Sequence, residues 1–274
     1  MTSLDMRAAG PNGRLEGKSI IVTGAGHEGD LLGTGVAIAL RFASEGAKVG
    51  IVDISAARAE NTREKIAELG GDAVVSVADI TKDDECARAV GEVVDAFGGL
   101  DGLVNNAGVA AGGTVVDIAI SEWDRVLDIN LKSAMLMSRY SIPAIVESGG
   151  GGIVNISSVA GMRAFGTASY AASKGGMIAL TYDMAYAHGL DGVRVNCIAP
   201  GHVFTPMGNQ GGDEIRDQRR RAGLLGTEGD AWDIANAALF LMSDEARWIT
   251  GLLMPVDAGA TVVTALPMMR RYSF

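Results

Sequence analysis

The chain has little of what covalent or metal stapling requires: two cysteines in 274 residues, Cys86 and Cys197, far apart and without metal-ligand spacing around either. That scarcity points to a reduced, intracellular protein, expected in the cytoplasm, with no bound metal. No apolar run approaches the roughly 18 residues that a membrane span needs. The opening "MTSLDMRAAGPNGRL" lacks the apolar core of a secretory signal, so residues 1–15 are expected to form a flexible N-terminal arm. Positive charge is also short, 23 Lys and Arg against 33 Asp and Glu, for a net charge of −10. A surface of that sign repels phosphate backbones, which argues against nucleic acid as a partner. The one basic cluster, "RDQRRR" at Arg216–Arg221, reads as a solvated helix face. Repeats, low-complexity linkers and composition breaks are absent too, so residues 16–274 are expected to form a single domain.

What the chain does have is alternation. Short apolar runs are expected as strands at Ser19–Val22, Lys48–Val52, Ala73–Val77, Leu103–Asn105, Ile153–Ile156, Val193–Ile198 and Leu253–Val256. Several are Val/Ile-rich without in-out alternation, as in strands covered on both faces. Helical patterns lie between them, at Gly35–Glu45, Ala56–Leu69, Lys82–Phe97, Ser121–Glu147, Ala168–His188 and Ala231–Ser243, with Ser121 as an expected N-cap. Such an order predicts an α/β fold, a single doubly wound parallel sheet (Rossmann fold) with helices on both faces. Ligands of that fold bind beyond the C-terminal strand ends.

Chemistry-bearing residues collect at those ends. "TGAGHEGDLLGTG" (Thr23–Gly35) joins the first strand to the first helix, where glycines and helix N–H groups can cradle a phosphate. Gly24, Gly33 and Gly35 are the expected cradle residues. Asp53 closes the second strand, placed to accept from both ribose hydroxyls of an adenosine and to repel a 2′-phosphate. Arg58 weighs against that reading, but as a first-turn helix residue it is expected to face solvent. Asp79 in "VADIT" can accept from an adenine amine, and the small residues of "NNAG" (Asn105–Gly108) let backbone approach a flat ligand. "YAASK" sets Tyr170 and Lys174 four apart on one helix face, about a dozen residues after Ser157 and Ser158 in "NISSVAG".

In this order the pieces "TGAG…GTG", "VD", "DI", "NNAG", "IN", "SS", "YAASK", "PGHVFT" and "ITG…VDAG" resemble a short-chain dehydrogenase/reductase, from about Gly17 to Gly259. The resemblance implies Tyr170 as acid/base and Lys174 as the residue that holds the nicotinamide ribose and lowers the phenol's pKa. It implies Ser158 as the residue that orients the substrate oxygen, and Asn130 of "LDINL" as the holder of a relay water. It further implies cofactor contacts from Ile80, Asn106, Ala107 and Gly108, a turn at Pro200 and Gly201, and contacts to the carboxamide from the Val203 backbone and the Thr205 hydroxyl. The cofactor is then NAD. Family members commonly have three residues between the first two loop glycines; here eight separate Gly24 from Gly33. About five extra residues around "HEGDL" are expected to arch outward, since Glu28 and Asp30 against phosphates would repel them. A metal site from His27, Glu28 and Asp30 is set aside, as is catalysis by His202.

A free phenol titrates near ~10, so a role as base near neutrality requires stabilising the phenolate by ~3–4 kcal/mol, which a close ammonium, with the positive nicotinamide of NAD⁺ nearby, can supply in a partly desolvated cleft. Val109, Met162, Phe165 and Met207 are expected on the substrate wall, with Arg163 exposed and "GNQGGDE" (Gly208–Glu214) as a lid. The substrate expectation is a small or medium, mostly apolar and conceivably cyclic secondary alcohol or its ketone, taken in the oxidative direction because NAD pools are mostly oxidised. Two alternatives stand beside it: a biosynthetic ketoreductase of 3-oxoacyl type, and a non-catalytic dinucleotide sensor. The resemblance implies pairing through the two long helices, Ser121–Glu147 and Ala168–His188, in a homotetramer or else a dimer.

Overall fold

The computed structural model describes residues 13–208 and 212–264. Seven strands, β1 (Ser19–Thr23), β2 (Lys48–Asp53), β3 (Asp72–Val77), β4 (Gly102–Asn105), β5 (Gly151–Ile156), β6 (Val193–Pro200) and β9 (Leu253–Val256), form one sheet. Its order is β3-β2-β1-β4-β5-β6-β9, and every pairing is parallel. The order reverses beside β1, between β1 and β4, and this opens the crevice in which such sheets bind ligands.

Both faces are buried, which explains the apolar runs. On one face Ile20, Val22, Val49, Ile51, Val104 and Val154 meet α1 (Thr34–Ser44), α2 (Ala56–Glu68) and α8 (Ala231–Met242). On the other, Ile21, Val52, Leu103, Ile153 and Val195 meet α3 (Asp83–Phe97), α5 (Ser133–Glu147) and α6 (Ala168–His188). Neighbouring strand residues alternate between the two cores, as the pleat demands.

One expectation is refined and two change. The helix expected over Ser121–Glu147 runs from α4 (Ile120–Leu127) into α5 through a π-type turn at Asp128–Lys132, with helical backbone at both junctions. That turn carries a fully buried Asn130, and a wider turn of this kind is a common device for re-aiming one side chain. Ser121 is not the cap: Ala119 holds the extended cap conformation, and its carbonyl accepts from the N–H groups of Glu122 and Trp123. The arm is anchored at its end, with Leu15 buried and Arg14 on Glu245 at 2.6 Å; residues 1–12 lie outside those described. Beyond the sheet, two short strands pair in parallel, β7 (Val203–Phe204) and β8 (Gly229–Asp230), and α7 (Gly212–Ala222) runs between them.

Helix α8 packs directly on α1 and opens with a capping box. Asp230 Oδ1 accepts from Trp232 N at 2.8 Å, and Asp233 Oδ2 accepts from Asp230 N at 2.8 Å. Asp230→Ala is expected to cost about 1 kcal/mol and lower Tm by roughly 2–4 °C in thermal denaturation. An unchanged Tm would show that packing alone sets this helix end.

Candidate active site

One cleft of about 1390 Å³ follows the C-terminal strand ends from the glycine loop to α7. At its centre α6 meets the end of β5. Lys174 is buried, and its Nζ donates to the Ile156 carbonyl at 2.7 Å. Burial pulls its pKa down to about 8. Ser157 Oγ donates to the Lys174 carbonyl at 2.7 Å, which spends the first serine on holding the helix to the strand. The second, Ser158, faces the cleft, hydrogen-bonds the Tyr170 phenol and accepts from Ala160 N at 3.1 Å. Tyr170 and Lys174 lie together, with Nζ 5.8 Å from the ring centroid. The phenol's pKa is nevertheless raised: burial pushes it up, and only the Ser158 hydrogen bond pulls it down. The lysine, expected to lower it together with the positive nicotinamide of NAD⁺, does not by itself outweigh burial.

Asn130 sits behind this group. Its Oδ1 accepts from Val109 N at 2.8 Å, while Nδ2 donates to Val109 O at 2.9 Å and Ser173 Oγ at 3.0 Å. The side-chain amide is thus a strut between the β4 loop and α6. A Cβ added at Gly108 would lie 3.4 Å from both Asn130 Oδ1 and Lys174 Nζ, tighter than most such contacts.

At the other end of the cleft, the glycine loop and the ends of β2 and β3 meet. Gly24 has φ +63, and a Cβ there would stand 2.8 Å from Ala107 Cα; one at Gly35 would stand 2.4 Å from Asn106 Nδ2. Gly33 is the N-cap of α1, with open space where a side chain would be. Asn106 is committed to the loop, Nδ2 donating to the carbonyls of Thr23 at 3.0 Å and Gly24 at 3.1 Å. A residue missed by sequence reasoning, Gly26, also has no room for a side chain. Its N–H donates to Asp53 Oδ2 at 2.9 Å, and a Cβ would come within 2.6 Å of that oxygen. The Gly-x-Gly spacing from Gly24 was the available signal.

Asp53 is buried and also accepts from Ser55 N at 3.0 Å and Arg58 Nη2 at 3.1 Å. Arg58 therefore lies on the carboxylate and lines the cleft, where a solvent-facing side chain was expected. Asp79 and Ile80 line the cleft as well, and hydrogen bonds from Thr81 hold Asp79 below the usual carboxylate range. The loop insertion arches outward only in part. Glu28–Asp30 are exposed, but Ala25 and His27 are stitched to α2: Thr62 Oγ1 donates to Ala25 O at 2.7 Å and His27 N to Arg58 O at 2.9 Å. His27 is buried at the cleft wall, and burial lowers its pKa. The buried His27 Nδ1 and Arg58 Nε have no protein partner, as expected of a wall that a polar ligand completes. With the glycine cradle and the α1 N-terminus, these residues fit a dinucleotide.

The remaining wall follows β6. A Cβ at Gly201 would stand 2.6 Å from Asp257 Cα, so the turn after Pro200 needs glycine. Val203 pairs with β8, and Thr205 is buried with its hydroxyl accepting from Gly208 N at 3.4 Å. Val109, Phe165 and Met207 line the cleft as expected, while Met162 is half-buried away from the lining. His202 lies against Phe165, ring centroids 5.8 Å apart. Arg163 is exposed, on the carbonyls of Met162 and Thr261. Of the segment read as a lid, residues 209–211 lie outside those described. The cluster read as a solvated face is not uniformly so: Arg216 stacks over the Phe204 ring at 3.8 Å, and Arg219 lines the cleft.

The profile of the family described as enoyl-(acyl carrier protein) reductase matches residues 30–261. The chain is 39% identical over 250 residues to a 2,5-dichloro-2,5-cyclohexadiene-1,4-diol dehydrogenase of Sphingobium indicum, covering 91% of this chain and 98% of that one. It is 38% identical to a 2-(S)-hydroxypropyl-CoM dehydrogenase of Xanthobacter autotrophicus, covering 91% and 99%. Among solved structures it superposes on a short chain dehydrogenase from Mycobacterium smegmatis with a TM-score of 0.79 at 34% identity, covering 90% and 94%.

Because Gly26 touches Asp53 so closely, Gly26→Ala is expected to weaken NADH binding by about tenfold or more, read by fluorescence titration. Undiminished affinity would separate this contact from the cofactor site.

Proposed function

The chain belongs to the short-chain dehydrogenase/reductase family, and from that premise we propose that it moves a hydride between a secondary alcohol and NAD, with Tyr170 as acid/base. At the coarser level it is an oxidoreductase of alcohols or ketones that uses a nicotinamide dinucleotide. The observation that carries the finer reading is the convergence of Ser158, Tyr170 and Lys174 on one cleft that continues to the glycine cradle.

The dinucleotide, when bound, takes or gives the hydride. The protein handles the proton and the geometry. Ser158 and Tyr170 present two hydroxyls to the substrate oxygen, and burial keeps the phenol protonated near neutrality, ready to donate to a ketone oxygen. In oxidation the phenol first loses that proton to solvent, and the phenolate oxygen then takes the carbinol proton as hydride leaves for the dinucleotide. Lys174 stays mostly cationic below about pH 8 and favours the phenolate when that forms. Asn130 keeps the Val109 loop and α6 in register, a positioning role. NAD is favoured by Asp53, the buried half of the pair with Arg58, because a 2′-phosphate beside it would need to draw Arg58 away. The apolar lining from Val109, Phe165 and Met207 supports a substrate body that is largely hydrocarbon. A net charge of −10 disfavours docking of an acidic acyl carrier, and the intact Tyr170–Lys174 pair disfavours a sensor. Exposed Met135, Tyr182 and Tyr186 on α5 and α6 support a tetramer or dimer through those helices.

Tyr170→Phe is expected to abolish turnover in an NADH absorbance assay over a panel of secondary alcohols, with NADH still bound; unchanged turnover would remove the proton-transfer role. Asp53→Ala is expected to narrow the NAD over NADP preference by about tenfold in kcat/KM. A wild type that prefers NADP would overturn the ribose assignment.

A further inference from the structure

Helix α7 borders the cleft through Arg219, and Arg216 ties the helix to the protein body. Arg216 donates from Nε and Nη2 to Glu228 Oε2 at 3.0 and 2.6 Å and stacks on Phe204. The Glu228 side chain is only 8% exposed, so this latch is anchored in the protein body. Three residues on, and so on the same helix face, Arg219 is turned into the cleft and donates to the Gly208 carbonyl.

Charge is unevenly spread along the cleft lining, and Asp257, the carboxylate behind Gly201, is held by Gly259 and Thr261. Cleft-lining carboxylates come from Glu28, Asp53, Asp79, Asp124 and Asp128, that is, from the glycine loop, the ends of β2 and β3, and the segment around α4. Among the described residues, the lining from Ile156 to Arg219 contains none. Two cations stand there: Lys174, on the Ile156 carbonyl beneath the phenol, and Arg219. The guanidinium's field reaches His202, whose pKa is lowered first by burial and then by Arg219, with Asp257 opposing. A guanidinium carries five N–H donors in a fixed fork, so it can keep its protein contacts and bind an oxyanion as well. In a chain of net charge −10, an anionic substrate needs such a local positive wall to enter.

We propose that Arg219 is a substrate-binding residue and that the alcohol is itself an anion, an apolar body with the carbinol at Tyr170 and a carboxylate or similar oxyanion at Arg219. This rests on the alcohol-oxidising reading of Tyr170 and narrows its substrate class. The chemistry of the tail is that of a charge-assisted, bidentate contact, which a neutral ester of the same shape cannot reproduce.

The test uses matched pairs: 3-hydroxybutyrate with its methyl ester, and 4-hydroxycyclohexanecarboxylate with its methyl ester, assayed with NAD. The wild type is expected to favour the acid by about tenfold or more in kcat/KM in at least one pair. Arg219→Met should collapse that ratio toward one, and Arg219→Lys should restore part of it, since a point charge replaces a fork. NADH affinity and Tm, measured on the same variants, are expected to stay near wild type. The proposal is overturned by a wild-type ratio near one in both pairs or by a ratio that Arg219→Met leaves intact. It is equally overturned by weakened NADH binding in Arg219→Met, which would assign the guanidinium to the dinucleotide. A wild type that oxidises esters and plain secondary alcohols but no acid sinks this inference alone. One that binds NADH yet oxidises nothing in either pair, nor any simple secondary alcohol, sinks the alcohol-oxidising reading and this inference with it.

Discussion

A buried ammonium at the end of a strand organises the centre of this protein. Lys174 is 3% exposed, and a charge so placed is tolerated only with close partners. The Ile156 carbonyl at 2.7 Å supplies one. The surroundings then have to keep helix and strand end in fixed relation. Ser157 bonds the lysine's own carbonyl, and Gly161 brings the turn after β5 so near α6 that a Cβ would lie 2.6 Å from Lys174 C. With helix and turn locked together, Ser158 and Tyr170 meet on the open side.

The same logic extends under the site. Asn105 Nδ2 donates to Asn155 Oδ1 at 2.8 Å, and Asn155 Nδ2 to Thr181 Oγ1 at 2.9 Å, which links β4, β5 and α6 through the buried interior. Asn130 adds a second link, from the π-type turn to the Val109 loop and Ser173. Hydrogen bonds made between elements in a low dielectric penalise any slip between them, because a slip would strand a buried polar group. Rigidity at the reacting end therefore comes from polar side chains inside the core.

The glycine-loop end of the cleft is built differently. There Gly26, Asp53 and Arg58 form one contact set, and the inserted loop is sewn to α2 at Ala25 and His27. The extra residues thus divide into a buried part that shapes the wall and an exposed part, Glu28–Asp30, of which Glu28 also borders the cleft.

Much of this was legible in one dimension. The parallel sheet follows from Val/Ile runs with no alternation, and α6 begins and ends where its pattern does, at Ala168 and His188. Tyr170 and Lys174 share a face because helical period alone puts them there. Sequence could not show that the helix after Ser121 widens into a π-type turn around Asn130, whose amide meets a loop 21 residues away. Nor could it show Arg58 on Asp53, or Arg219 in the cleft and Arg216 on Glu228, since a run of basic residues reads alike whether it meets water or a wall. Local periodicity and backbone stereochemistry determined the elements and their order. Which charged side chain faces which partner was decided by long-range packing, because that depends on what the rest of the chain brings within a few ångströms.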